Sequence, residues 1–235
     1  MPRTPLLHPD EYFRERAPGL DFGYALVLAV VVALLTTAAV GFVGWQFSEA
    51  LDTTITVENE NRPPDWVCED NGDDWPGCDE PETRELNLGD ELWDRFVGLL
   101  PVVFFSSLLG WLVVGVFLHL LSRGGGRGTF GDTLAVAAWG GVPMFVESAV
   151  GLVAASRVVR GTSFSQNPEV LLQQLQELQS FLDWPLTFAV GLVVAGWQLF
   201  VWRAGLEHAR GLDSDAALGV AGLVAFVVFL LGVVG

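Results

Sequence analysis

The stretch Ser122–Val153, SRGGGRGTFGDTLAVAAWGGVPMFVESAVGLV, decides the fold. Its first part is a glycine-rich turn carrying Arg123 and Arg127. The rest is apolar and long enough to cross a bilayer, whose hydrocarbon core of roughly 30 Å needs about 20 helical residues. Inside that apolar run stand Gly140, Gly141, Pro143 and a carboxylate, Glu147. A polar turn feeding a membrane-length apolar run marks a polytopic membrane protein, and the rest of the chain repeats the pattern.

Working outward, the apolar run Thr133–Ser156 is one of five blocks, the others being Phe22–Trp45, Phe96–Leu121, Pro185–Trp202 and Ala216–Val234. The expected fold is an all-α integral membrane protein. Five transmembrane helices form a bundle, with short surface helices and one acidic extracellular loop. The chain reads as a single domain, 1–235. An inner leader (1–21) precedes the first span (22–45), and an acidic outer loop (46–95) leads to the second (96–121). The inner Gly/Arg turn (122–132) enters the third span (133–156), and an outer segment with an amphipathic helix (157–184) enters the fourth (185–202). An inner loop (203–215) precedes the fifth span (216–234). The first block outruns the 7–15 apolar residues typical of a signal core and no convincing small-x-small cleavage site follows it, so it reads as a retained helix.

Charge narrows the setting. The formal net charge is −16, and all twelve basic residues are arginine. Hydrated carboxylates without lysine suit a halophilic protein working in concentrated salt. Acidity of this kind bears on solubility and non-specific binding, not on fold. No basic stripe is present, which excludes nucleic acid as a partner. Under an inner N-terminus, the three inner segments hold seven arginines in a short length, against five in the longer outer segments. The positive-inside rule then places the N-terminus in the cytoplasm and the C-terminus outside the cell membrane.

In the leader, Pro9 suits a first helical turn, Asp10 and Glu11 follow where negative charge is favoured, and Arg14 and Arg16 close the helix. With Leu6, Leu7, Tyr12 and Phe13, it reads as a short helix on the membrane surface. The outer loop carries sixteen acidic residues and one short strand candidate, Thr53–Val57. It also holds both cysteines, Cys68 and Cys78, whose natural use on an oxidising face is a disulfide. Asp70, Asp73, Asp74 and Asp79 offer oxygen ligands, but their spacing is not that of an EF-hand, and no metal site is expected. Further on, Asn167 and Pro168 open a leucine stripe, Leu171, Leu175, Leu178 and Leu182, too short and polar to span. In the second block, Pro101 falls in the first turns, where proline costs little.

Two constellations carry the functional candidates. Val136, Gly140, Pro143, Glu147 and Gly151 recur at helical spacing and share one face. Glycines there let another helix approach, which aims Glu147 at protein rather than lipid. Two readings stay open for it: a structural carboxyl bonded to a neighbouring helix, or an ion or proton site near the midplane. The second is the turn itself, where the amides of Gly125, Gly126 and Gly128 with Arg123 and Arg127 form a candidate inner-face contact for a lipid phosphate. Without a lysine it is no nucleotide loop. The three histidines, His8, His119 and His208, have no paired nucleophile in sequence. No catalytic set and no cofactor is expected.

Pro9-Asp10-Glu11-Tyr12-Phe13, ahead of the first helix, resembles the start of prokaryotic Yip-domain proteins. Gly125-Gly126-Arg127-Gly128-Thr129-Phe130, followed by Thr133, Ala138 and Pro143, resembles that family's inner loop and third helix. The resemblance implies a small, non-enzymatic polytopic membrane protein. Eukaryotic members bind Rab-type GTPases and have a long cytosolic N-terminal region with an Asp-Leu-Tyr-Gly-Pro motif, and this sequence contains neither that region nor the motif. The resulting expectation is a protein that organises the lipid bilayer, a membrane-protein partner or further copies of itself. The competing expectation is a small transporter or channel built on Glu147.

Overall fold

Short polar residues start the long helices. The computed structural model describes residues 4–71, 75–162, 170, 173–174 and 186–234. Helix α1, Pro9–Arg16, is followed by α2, Phe22–Ala50, whose N-cap Asp21 accepts from the amides of Gly23 (2.8 Å) and Tyr24 (3.3 Å). A polar cap follows: strand β1 (Thr54–Glu58), helix α3 (Asp65–Asn71) and strand β2 (Thr83–Asn87), with β1 and β2 antiparallel, Thr56 opposite Glu85. Asn87 ends β2 and caps α4, Leu88–Leu121, accepting from Gly89 N (2.8 Å) and Asp90 N (3.2 Å). After a 3-10 turn, Arg123–Gly125, come α5 (Phe130–Gly141) and α6 (Met144–Gly161). Helix α7, Leu186–Gly205, runs into a π-helical turn, Leu206–Arg210, and α8 spans Ser214–Val234.

Five helical stretches are long and apolar enough to cross a membrane: Phe22–Ala50, Leu88–Leu121, Phe130–Gly161, Phe188–Arg210 and Ser214–Gly232. The protein is an all-α integral membrane bundle. Its helices expose large side chains, such as Val27, Leu34, Phe105, Leu109, Val193 and Leu231, and bury small ones. Along α2 the buried positions include Ala25, Ala29, Ala33, Gly41 and Gly44. Lipid tails are as apolar as leucine, so close backbone approach rather than apolar burial holds such helices together. Helix α2 packs along α4, α5 and α6, and α7 packs along α8 and α5.

Several expectations need revision in detail. Asn87 starts α4 well before Phe96, so Pro101 lies inside the helix rather than in its first turns. The acidic loop holds a second strand, Thr83–Asn87, besides the expected one. The leader helix does not simply rest on a membrane surface. It is docked on the bundle, with Phe13 fully buried where α1 packs on α7 and the π turn, while Leu7 is 67% exposed. The leucine-striped segment, Asn167 to Leu182, lies almost entirely outside the described residues, as do Asp73 and Asp74.

The bundle therefore has two unlike ends. One carries α1, the turn after α4 and the π turn after α7. The other carries the β1–β2 hairpin and α3. The buried core, including Phe13, Leu118, Val136, Trp202 and Leu206, sits toward the first end.

Candidate functional site

The residues of the opening stretch are assembled at the leader end. Thr129 and Asp132 form a reciprocal cap on α5: Asp132 N donates to Thr129 Oγ1 (3.2 Å), and Thr129 N donates to Asp132 Oδ2 (2.7 Å). The Thr129 hydroxyl adds a bond to the same oxygen at 2.9 Å. The other oxygen, Oδ1, accepts from Gly19 N and Leu20 N, both at 2.7 Å. Asp132 is only 2% exposed, and its charge is met by donors from two separate segments. It pins the leader to the start of α5.

Arg210 does the same for the other segments. It is 5% exposed, and its Nε donates to Ser122 Oγ at 3.0 Å. Its Nη1 donates to the carbonyls of Arg127 and of Gly128, the latter at 2.8 Å. In return, Arg127 N donates to the Arg210 carbonyl at 3.3 Å. The glycines make this possible. A Cβ at Gly125 would strike the Arg210 carbonyl, and one at Gly128 the Ala209 carbonyl. The arginine stem of Arg127 lies across Gly211, whose φ of +70° ends the π turn.

Within the predicted phosphate-contact set, Gly125 and Gly128 are thus packed against protein carbonyls. Gly126 has open space at its Cα, and Arg123 and Arg127 are exposed.

Further links converge on the same end. His208 Nε2 and Asp10 Oδ1 are 2.8 Å apart, and Trp197 Nε1 donates to the Leu6 carbonyl at 2.8 Å. The hydrogen bond with His208, first among its causes, holds the Asp10 carboxyl below the ordinary carboxylate value; burial raises the Tyr12 phenol. His119 Nδ1 meets Thr133 Oγ1 at 3.2 Å, and its ring meets Phe130 edge-on with centroids 5.2 Å apart. His208 ties the π turn to α1, and His119 ties α4 to α5.

The Yip1 domain model matches residues 4–235, leader and glycine turn included. The chain belongs to the Yip1 domain family. No curated protein and no solved structure shows a match to it.

Beyond the leader end, this Yip1-domain chain departs from the expected close-packed face. The helical run breaks at Pro143, where Val142 N instead bonds the Trp139 carbonyl at 3.3 Å. On the α5 side, Gly140 presses against the Trp202 indole so closely that a Cβ would overlap the ring. On the α6 side, Gly151 is exposed and a Cβ there would meet nothing within 4 Å. The two glycines therefore do not form one packing face. Glu147, half-buried on α6, looks toward α7: Oε1 lies 3.7 Å from where a Cβ of Gly191 would sit, beside the Phe229 ring. At the far end, Cys68 and Cys78 are joined, their Cα atoms 5.6 Å apart. Among the described residues, no group of His, Cys, Asp and Glu is arranged to hold a metal ion.

Sequence reading passed over Asp132, Arg210 and Ser122, and it gave Trp202, flanking the fourth block, an interfacial place, whereas the side chain is 1% exposed in the core. A signal existed for the first: Thr129-Phe130-Gly131-Asp132 ahead of an apolar run is a capping pattern. Arg210 carried none, since it looks like any arginine of a polar loop.

Proposed function

We propose that this Yip1-domain protein is a non-enzymatic organiser of membranes, holding lipid and membrane-protein partners through its leader end. The observation that carries the reading is the use made of the buried polar groups. Asp132, Arg210 and Ser122 are spent on locking the leader, the glycine turn and the π turn into one platform. A platform of this kind presents a fixed surface on which partners can dock. Arg123 and Arg127 stand exposed on it, in keeping with contact to lipid phosphates. The arginine distribution supports a cytoplasmic placement of this end, with the C-terminus and the disulfide-bearing cap outside the cell membrane.

Crosslinking and mass spectrometry in the native membrane test the proposal. Crosslinks from the leader and from the segment around Arg123 to other membrane proteins, or to a second copy, are the expected result. Proteoliposome flux is the counter-test. Proton or salt flux that the protein creates and Glu147→Gln abolishes would replace this reading with a transporter.

A further inference from the structure

The leader end contains a cleft that the bonds described above leave empty. It measures about 390 Å³ and opens between α1, the start of α2 and α5. Ala25 and Ala135, 1% and 3% exposed, form its floor. Tyr12, Tyr24 and Trp139 form its walls, with Trp139 5.8 Å from Tyr12 and 5.9 Å from Tyr24 between ring centroids. Arg16 stands at its rim, with the guanidinium carbon 4.3 Å from the centre of the Tyr12 ring.

That stacking matters. A guanidinium laid on an aromatic face keeps its N–H edges free and loses less freedom when it binds. Two carboxylates lie nearby. Asp21 lines the cleft and is engaged through Oδ1 as the N-cap of α2, and Glu15 pairs with Arg16 at 4.0 Å, with its side chain 48% exposed. The cleft volume falls within the range of small-ligand sites, about 300–1,000 Å³. It also lies where the first membrane helix begins, at Phe22, and tyrosine and tryptophan favour the headgroup layer. Directly below, α2 turns an apolar face outward through Val27, Val31 and Leu34, along which acyl chains can run.

We propose that this cleft binds the phosphate of an anionic phospholipid headgroup, with Arg16 as its counter-ion. A phosphodiester matches the guanidinium fork, and the aromatic walls take the glycerol carbons. An ammonium-bearing headgroup brings a second cation up to Arg16 and fits less well. The inference deepens the lipid-holding part of the proposed function and rests on it. The crosslinking experiment tests partners independently of lipid retention, so the two stand or fall separately.

The full chain is placed in nanodiscs of equal phosphatidylglycerol and phosphatidylcholine, and the retained lipid is counted by native mass spectrometry. Wild type retains phosphatidylglycerol preferentially. Arg16→Gln loses that preference by about tenfold, the scale of one charge-assisted hydrogen bond. Tyr24→Ala, at a position 55% exposed, lowers it too. Arg160→Gln, on exposed α6 surface, behaves as wild type. Equal retention of the two lipids by wild type, or unchanged preference in Arg16→Gln, overturns the proposal. Titration of the detergent-solubilised protein with glycerol phosphate and inorganic phosphate separates the sources. Binding of either as tightly as the lipid overturns the lipid assignment in favour of a soluble phosphate.

Discussion

Asp132 shows how much one side chain carries here. Four donors, two from the leader and two from Thr129, converge on its two oxygens. Asp132→Asn keeps the shape but turns an amide donor toward donors. Expected is a loss of about 3 kcal/mol, the scale of charge-assisted bonds removed from a buried site, read as a lower melting temperature in detergent and faster proteolysis of the leader. The Asp10–His208 link makes a second prediction, on pH. The folded Asp10 value lies below the ordinary 3.8. The link therefore contributes in full above the unfolded value and is lost as pH falls through the lower folded one. Hydrogen exchange of the leader should rise as pH drops below about 3.8, and Asp10→Asn should flatten that response. Of these residues, Asp132 was legible as the third residue after a threonine cap. Its bonds to Gly19 and Leu20 were not, because nothing local to residue 132 says which distant amides will face it.

At the scale of elements, the third span is instructive. A regular helix places Gly140, Pro143, Glu147 and Gly151 on one face, and that regularity is all a sequence offers. Proline cannot donate to the carbonyl one turn back, so the regular helix is interrupted at Val142–Pro143 and resumes as α6. Gly140 stays against Trp202, while Gly151 comes to the surface. The pair makes a matched test. Gly140→Ala must push the indole aside and should cost about 1–3 kcal/mol, measured as a fall in melting temperature with a shift in tryptophan fluorescence. Gly151→Ala meets open space and should leave the melting temperature unchanged or raise it slightly, because alanine is the better helix former. Equal losses in both would restore the single packing face. Strand β2 was missed for a related reason. Thr83–Asn87 reads as a polar run, and only the pairing with Thr54–Glu58 makes it a strand.

At the scale of the molecule, five spans were readable because the bilayer imposes one length on every crossing segment. The end-to-end asymmetry was readable from where the arginines and acids fall, whereas the way the leader plugs the bundle was not. Phe13 differs from an exposed interfacial phenylalanine only through its neighbours. One span, α2, separates the leader from the disulfide-bearing cap and puts the two on opposite sides, so they should also lose structure separately. The disulfide closes a loop with a sequence separation of 10. Its removal frees the unfolded cap by about 2–3 kcal/mol in the chain-entropy model. In a Cys68→Ser, Cys78→Ser variant, amide exchange should accelerate across the cap, residues 54–87, and stay slow from Leu118 to Ala137. Loosening of both regions would mean that the cap supports the bundle through α2 and α4. The same cysteines report the orientation. Intact cells treated with a reductant should take up a membrane-impermeant maleimide at Cys68 and Cys78, whereas labelling only after lysis would place the cap inside and reverse the proposed topology.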